Sequence, residues 1–246
     1  MNSLMYAGDD QLVTRDGLAQ AGNGTVMGSR HQPVSFLKYA EEVAHSLIDH
    51  GYSIMGEEYV LTSDSQTFFG VMQVQSFEWQ SYDFKVSLGL RGSHNQKISR
   101  GICIGESIIV CSNLCFDGDL GNWKTKQTTN GYGRMRSMID DAIAELPDRV
   151  RSRSITFERL KDQRISDRYG DAKLVDIYRA GGLSGNELPR AINEFHEPSF
   201  DHGEPTLWRL FNAATQALKP TGSRVNMQTV ADRSTIVSRM MGDLVK

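Results

Sequence analysis

The sequence predicts an α+β protein, with an antiparallel meander of about five strands behind an N-terminal helix and a helical C-terminal half. Three observations predict it. Apolar residues alternate with polar ones in short runs between residues 52 and 113; they recur at helical spacing before and after that stretch; and no linker-like segment separates the two halves. Residues 33–246 therefore read as one domain, with a sheet half at 33–120 and a helical half at 133–246.

Residues 1–32 are rich in Gly, Asn, Asp and Ser without apolar periodicity, which predicts an extended or loose arm. From Pro33, placed in a first helical turn, Phe36, Leu37, Ala40, Val43, Ala44, Leu47 and Ile48 mark a helix that stops before Gly51. Strands follow in YSIMGEEYVLT, TFFGVMQVQSF and FKVSLGLRG, then in RGICIG and ESIIVCSN across a predicted tight turn at Gly105-Glu106. Residues 112–133 read as a long polar loop, a kind of segment that usually carries function or motion. Met135, Met138, Ile139, Ala142, Ile143 and Leu146 form a helical stripe, continued by Ile155, Phe157, Leu160 and Ile165. Two short helices are marked by Val175, Ile177 and Tyr178 and by Leu188, Ile192 and Phe195. Thr206 opens another that stops at Pro220-Thr-Gly, and a last helix spans about 225–244. That last helix carries enough apolar surface to cap the core or to join two copies of the chain.

The 246 residues are 39% hydrophobic and 23% charged, an ordinary globular composition, and the net charge of −3 gives no global sign of a polyanion partner. Three cysteines within thirteen residues, Cys103, Cys111 and Cys115, fit a reducing cytoplasm better than a disulfide framework. No signal-peptide pattern opens the sequence, and the apolar run at 102–111 is interrupted by Glu106 and too short to span a bilayer. A cytoplasmic protein is expected.

Candidate catalytic and metal-binding residues are few. His94, Cys111 and Asp117, with Asn95 and Asn113 nearby in sequence, could form a nuclease or thiol-dependent hydrolase site if they met in space. Turn-capping for the polar residues and simple packing for Cys111 account for them better. Cys111 and Cys115 lack a second ligand pair, and His45 and His50 lie five apart, off the spacing of a helical zinc pair. Gly181, Gly182 and Gly185 lack the lysine of a phosphate-binding loop. No catalytic site, metal or cofactor is expected.

Local charge carries more. Residues 121–170 hold eleven Lys/Arg against seven Asp/Glu, and residues 81–100 hold Lys85, Arg91, Lys97 and Arg100 against Asp83 alone. Trp123 and Tyr132 frame Lys124 and Lys126, with Arg134 and Arg136 beyond and Arg151 and Arg153 further on. Cations that hold phosphates beside aromatic faces that stack on bases are the chemistry of single-strand binding. No recognition helix or zinc finger points to duplex DNA.

The string LRGSHNQKISRGICIGESIIVCSNLCFDG resembles the core of a phage- and plasmid-borne family of unknown function, whose pattern is S-H-[DN] followed by V-x-V-C-x-N. TLWRLFNAATQALKPTGSRVNMQTVADRS resembles that family's C-terminal T-x-W-x-L-x-N-A element. The likeness departs at Gln96-Lys97, where small polar residues are usual. In size and layout the chain is also similar to the single-stranded-DNA-binding RNA polymerase cofactors of certain lytic phages. That resemblance implies strand binding without catalysis, a homo-oligomer, a phage RNA polymerase as partner and a place in the host cytoplasm. A phage inhibitor that docks on a host protein is a further alternative.

Overall fold

The structure, a computed structural model, describes residues 10–82, 84–108, 114–117, 123–219 and 227–246; of 106–108, 114–117, 227, 228 and 231 it describes the backbone. Strands β1 (Gln11–Val13), β2 (Ser53–Leu61), β3 (Thr67–Gln75), β4 (Phe84–Ser93), β5 (Arg100–Ile108), β6 (Leu114–Asp117) and β7 (Lys124–Thr125) build one sheet in the order β1-β2-β3-β4-β5-β6, with β7 beside β5. Pairing is antiparallel along β1 to β4 and between β5 and β7. Helix α1 (Phe36–Asp49) precedes β2, and α2 (Gly131–Ala144), α3 (Leu146–Asp162), α4 (Asp167–Arg179), α5 (Glu187–His196), α6 (Leu207–Ala217) and α7 (Met227–Asp243) follow β7. The predicted α+β class and the order of its halves are as expected.

Where one domain was expected, the chain divides into two compact units: Met1–Ser81, Lys85–Gly105 and Asp119–Pro147 in the first, Tyr82–Phe84, Glu106–Gly118 and Asp148–Lys246 in the second.

In the first unit α1 begins at Phe36, three residues later than Pro33 suggested, because Ser35 Oγ caps the helix by accepting from Lys38 N at 3.1 Å. It ends as predicted at Gly51, whose φ of +82° needs a residue without Cβ. Gly51 N donates to Ile48 O and Tyr52 N to Leu47 O, which closes the last turn in a Schellman arrangement. Phe36, Tyr39, Val43 and Leu47 are buried on one face of the helix. Phe36 stacks on Phe68 of β3 with centroids 4.6 Å apart.

Two expectations fail here. Residues 10–21 are not a free arm: β1 pairs with β2, Leu18 is fully buried in a short 3-10 helix, and Arg15 bonds Glu57 of β2. Nor does the chain turn at Gly105-Glu106. Strand β5 runs through both residues to Ile108, and residues 109–113 lie outside those described. The predicted polar loop likewise holds strands β6 and β7.

In the second unit Thr206 and Ser166 cap α6 and α4 through their hydroxyls. Phe157 of α3 meets Phe84, Trp208 and Phe211 at centroid distances of 5.1, 5.0 and 5.6 Å, and this aromatic cluster is the unit's core. Helix α7 lies against β6 and α6 with Val237 and Met241 buried, which is the core-capping role for that helix.

On β3, Gly70 sits opposite Tyr59, whose buried ring covers it; a Cβ at Gly70 would come within 2.7 Å of Tyr59 Cδ1. Gly70→Ala should therefore destabilise the protein by about 1–3 kcal/mol through forced repacking. The midpoint of urea unfolding checks this, and an unchanged midpoint would contradict it.

Candidate nucleic-acid interface

The first unit carries a cleft of about 510 Å³, lined by residues 27–31, by Gln96, Ile98, Ser99 and Arg100, and by residues 125–128. Three local devices build it. Ser93 Oγ accepts from Ile98 N at 2.9 Å and donates to Ile98 O, closing the turn between β4 and β5. Within that turn Asn95 Oδ1 accepts from Lys97 N at 3.1 Å, and Gln96 takes a φ of +63°. Small polar residues enter that left-handed conformation more easily than Gln. On the other side His31 bridges Thr128 and Gln32 N donates to Gln127 O, so the segment before α1 is strapped to the one after β7. Strand β7 in turn pairs Thr125 with Arg100 and Lys124 with Gly101.

Arg100 is only 1% exposed. Its Nη2 donates to Val34 O at 3.0 Å and its plane lies 5.1 Å from the ring centroid of Tyr39, whose hydroxyl donates to Gly101 O. Burial pushes the guanidinium down to about 10, so it stays charged at neutral pH. Its Nε and Nη1 are buried with no hydrogen-bond partner among the described residues. His31, also buried, accepts from Met27 N through Nδ1 at 3.0 Å. That bond puts the neutral ring's proton on Nε2, which has no partner either. Each such buried donor costs about 1–3 kcal/mol when left without an acceptor. Arg30 and Lys126 are exposed on the lining, and among the described residues no carboxylate lines the cleft.

The residues nominated from sequence separate into three groups. Lys97 on the β4–β5 turn, Lys124 and Lys126 at β7, and Arg134 are exposed at or beside the cleft; Arg134 bonds Thr128 of the lining. Arg91 is half-buried and packs near Gly101. A neighbouring surface on α1 and α2 holds Tyr132, 40% exposed, and Arg136, both bound to Glu42, with Lys38 over the Tyr132 ring. Burial would raise the Glu42 carboxyl, but bonds from Tyr132 and Lys38 hold it below the usual carboxylate range. Lys85 is exposed at the far end of β4, roughly 20 Å of strand from Arg91. Arg151 belongs to the second unit and pairs with Asp148 at 3.6 Å.

Three nominations are corrected. Trp123 is 8% exposed and part of the core, so its ring offers no face to a base. Arg153 is buried in the second unit, bonded to Ser238 Oγ at 2.8 Å and lying over Phe157. Arg100 is buried too, yet it lines the cleft. Sequence reasoning missed Arg30 and His31 because they fell in the supposed arm; a basic pair just ahead of Pro33 was the available signal.

His94 does not make a catalytic centre with any described residue. It is 1% exposed, stacked on Phe36 at 3.8 Å and overlain by Gly24, with neither ring nitrogen bonded among the described residues. Burial, helped by the nearby Arg100 and His31, pushes its imidazole down to about 4. Cys111 lies outside the described residues, and of Asp117, in the second unit, the backbone alone is described. Among the described residues no cluster of His, Cys, Asp and Glu could hold a metal ion, and no helix is long and apolar enough to cross a membrane.

Two expectations follow. Trp123→Ala should cost about 3–5 kcal/mol of stability, read by denaturant unfolding, while strand affinity per folded molecule stays within twofold; a selective loss of affinity would restore a stacking role. The unfolded chain takes up a proton at His94 below about pH 6.5 and the folded one only near 4, so stability should fall by roughly 3 kcal/mol between those values. Proton NMR of the His94 ring checks this, and titration near 6.5 in the folded protein would contradict it.

Comparison with known proteins finds no matching family model, no matching curated protein and no matching solved structure.

Proposed function

We propose that the chain is a non-catalytic, sequence-tolerant single-stranded DNA-binding protein that holds the strand's phosphates in the cleft of the first unit. One observation carries this: the cleft is lined by Arg30, Arg100 and Lys126 with no carboxylate among the described residues, and Lys97 and Arg134 prolong that positive surface past its rim. A cationic track longer than its pocket suits a polymer of phosphates better than one small anion. Its volume is that of a site for a nucleotide or two. Affinity then comes from phosphate contacts and counterion release, without the Trp123 stacking that the sequence suggested. Recruitment of a phage RNA polymerase and a homo-oligomeric state belong to the same proposal through the resemblance alone.

Fluorescence anisotropy with labelled oligothymidylate, over a salt series, tests the proposal. The variant with Lys97, Lys126 and Arg134 changed to Gln should bind roughly tenfold or more weakly, with a salt slope shallower by about 0.7 for each phosphate contact removed. Lys85→Gln and Arg151→Gln should leave affinity within twofold. Affinity that ignores salt, or that falls equally in both sets, would overturn it.

A further inference from the structure

The inner end of the cleft carries more than positive charge. Arg100 Nε, Arg100 Nη1 and His31 Nε2 are buried donors without an acceptor among the described residues, and they belong to side chains that line one cavity. Both side chains are over nine-tenths buried, Arg100 at 1% exposed and His31 at 7%. Each is also fixed on its other side, Arg100 by Val34 O and Tyr39 and His31 by Met27 N, so neither can swing out to water without breaking a bond. A preset group of donors in a dry wall is complementary to an anion with several acceptor oxygens. Gln127 is likewise half used: its Nε2 donates to Ser93 O at 2.6 Å, while its Oε1, buried on the lining, has no partner among the described residues and suits one ligand hydroxyl.

We infer that Arg100 and His31 form a seat for a terminal phosphate monoester, which the strand threads into the cleft end first. An internal phosphodiester offers two free oxygens and must enter and leave with chain on both sides. A terminal monoester offers three oxygens, more charge and a single tether, which suits three buried donors on two side chains that line the cleft. Arg30 and Lys126, exposed at the same cleft, meet the next phosphates. The seat deepens the strand-binding proposal and rests on it for the origin of the phosphate alone; a free mononucleotide carries the same group.

Oligothymidylates carrying a phosphate at the 5′ end, at the 3′ end or at neither, together with thymidine monophosphate and inorganic phosphate, are the probes. Intact protein should bind one phosphorylated oligomer at least tenfold tighter than the unphosphorylated one. His31→Asn keeps an acceptor for Met27 N and removes the Nε2 donor, so it should bind the phosphorylated and unphosphorylated oligomers with one affinity while circular dichroism shows the protein still folded. Arg100→Lys, which keeps the charge and loses the fork, should also erase the preference for the phosphorylated end, read per molecule that circular dichroism shows to be folded. Equal affinity for all three oligomers would overturn the seat and leave the cationic track intact. Binding of thymidine monophosphate or inorganic phosphate that His31→Asn abolishes, with no oligomer bound, would uphold the seat and sink strand binding. No binding of any probe would overturn both.

Discussion

The guanidinium of Arg100 is charged, almost wholly removed from water, and, among the described residues, satisfied on one side alone. That arrangement costs desolvation energy, and a chain keeps it only where the geometry supports it. Here three separate pieces of sequence meet on it. Val34, leading into α1, takes a hydrogen bond from it; Tyr39 on α1 lies beneath its plane; and Thr125 of β7 pairs with its backbone. Without that anchor the segments at 27–34 and 124–128 would lose their common fixed point, and the cleft between them would have no shape. The same residue thus sets the wall and supplies its most buried donors.

Around that point the polar chemistry is a matter of backbone geometry more than of side-chain reach. Ser93, Asn95 and Gln127 spend their hydrogen bonds on the β4–β5 turn and its neighbour, which holds Lys97 out at the tip and Arg100 in at the base. Glu42 draws Tyr132, Lys38 and Arg136 into a group of their own, so those cations are already compensated, whereas Arg30 and Lys126 face the cleft without a carboxylate on its lining. A count of charges along the sequence cannot separate the two situations.

That is the general reason why the fold was more legible than the site. Helix α1 and strands β2 to β4 announce themselves because their apolar period of 3.6 or 2 is set by neighbours a few residues away. The N-terminal segment hides its packing because one Leu18 and one ion pair across 42 residues, Arg15 with Glu57, hold it, and neither leaves a period. Gly105-Glu106 looks like a hairpin because Gly and a charge interrupt an apolar run, yet a strand paired on its neighbour tolerates both. Trp123, Arg100 and Arg153 sit in locally basic, polar sequence and are buried all the same, since Arg100 lies over Tyr39 and Arg153 over Phe211, rings that distant elements supply. Local composition identified a cationic surface; tertiary packing decided which of its members meet solvent.

The two ends of the sheet order have a consequence for how the molecule behaves in a crowded solution. A long bare edge strand is a template on which another chain can crystallise its own backbone, and proteins blunt such edges by making them short. The strand at one end, β1, has three residues, and the one at the other, β6, has four and lies against α7. The nine-residue β2, which would otherwise be an open edge, is thereby covered at Tyr59, Val60 and Leu61 by the very segment whose composition looked dispensable. Trimming residues 10–13 as an untidy leader would strip β2 of its cover and leave a sticky ribbon, turning a well-behaved protein into one prone to precipitate.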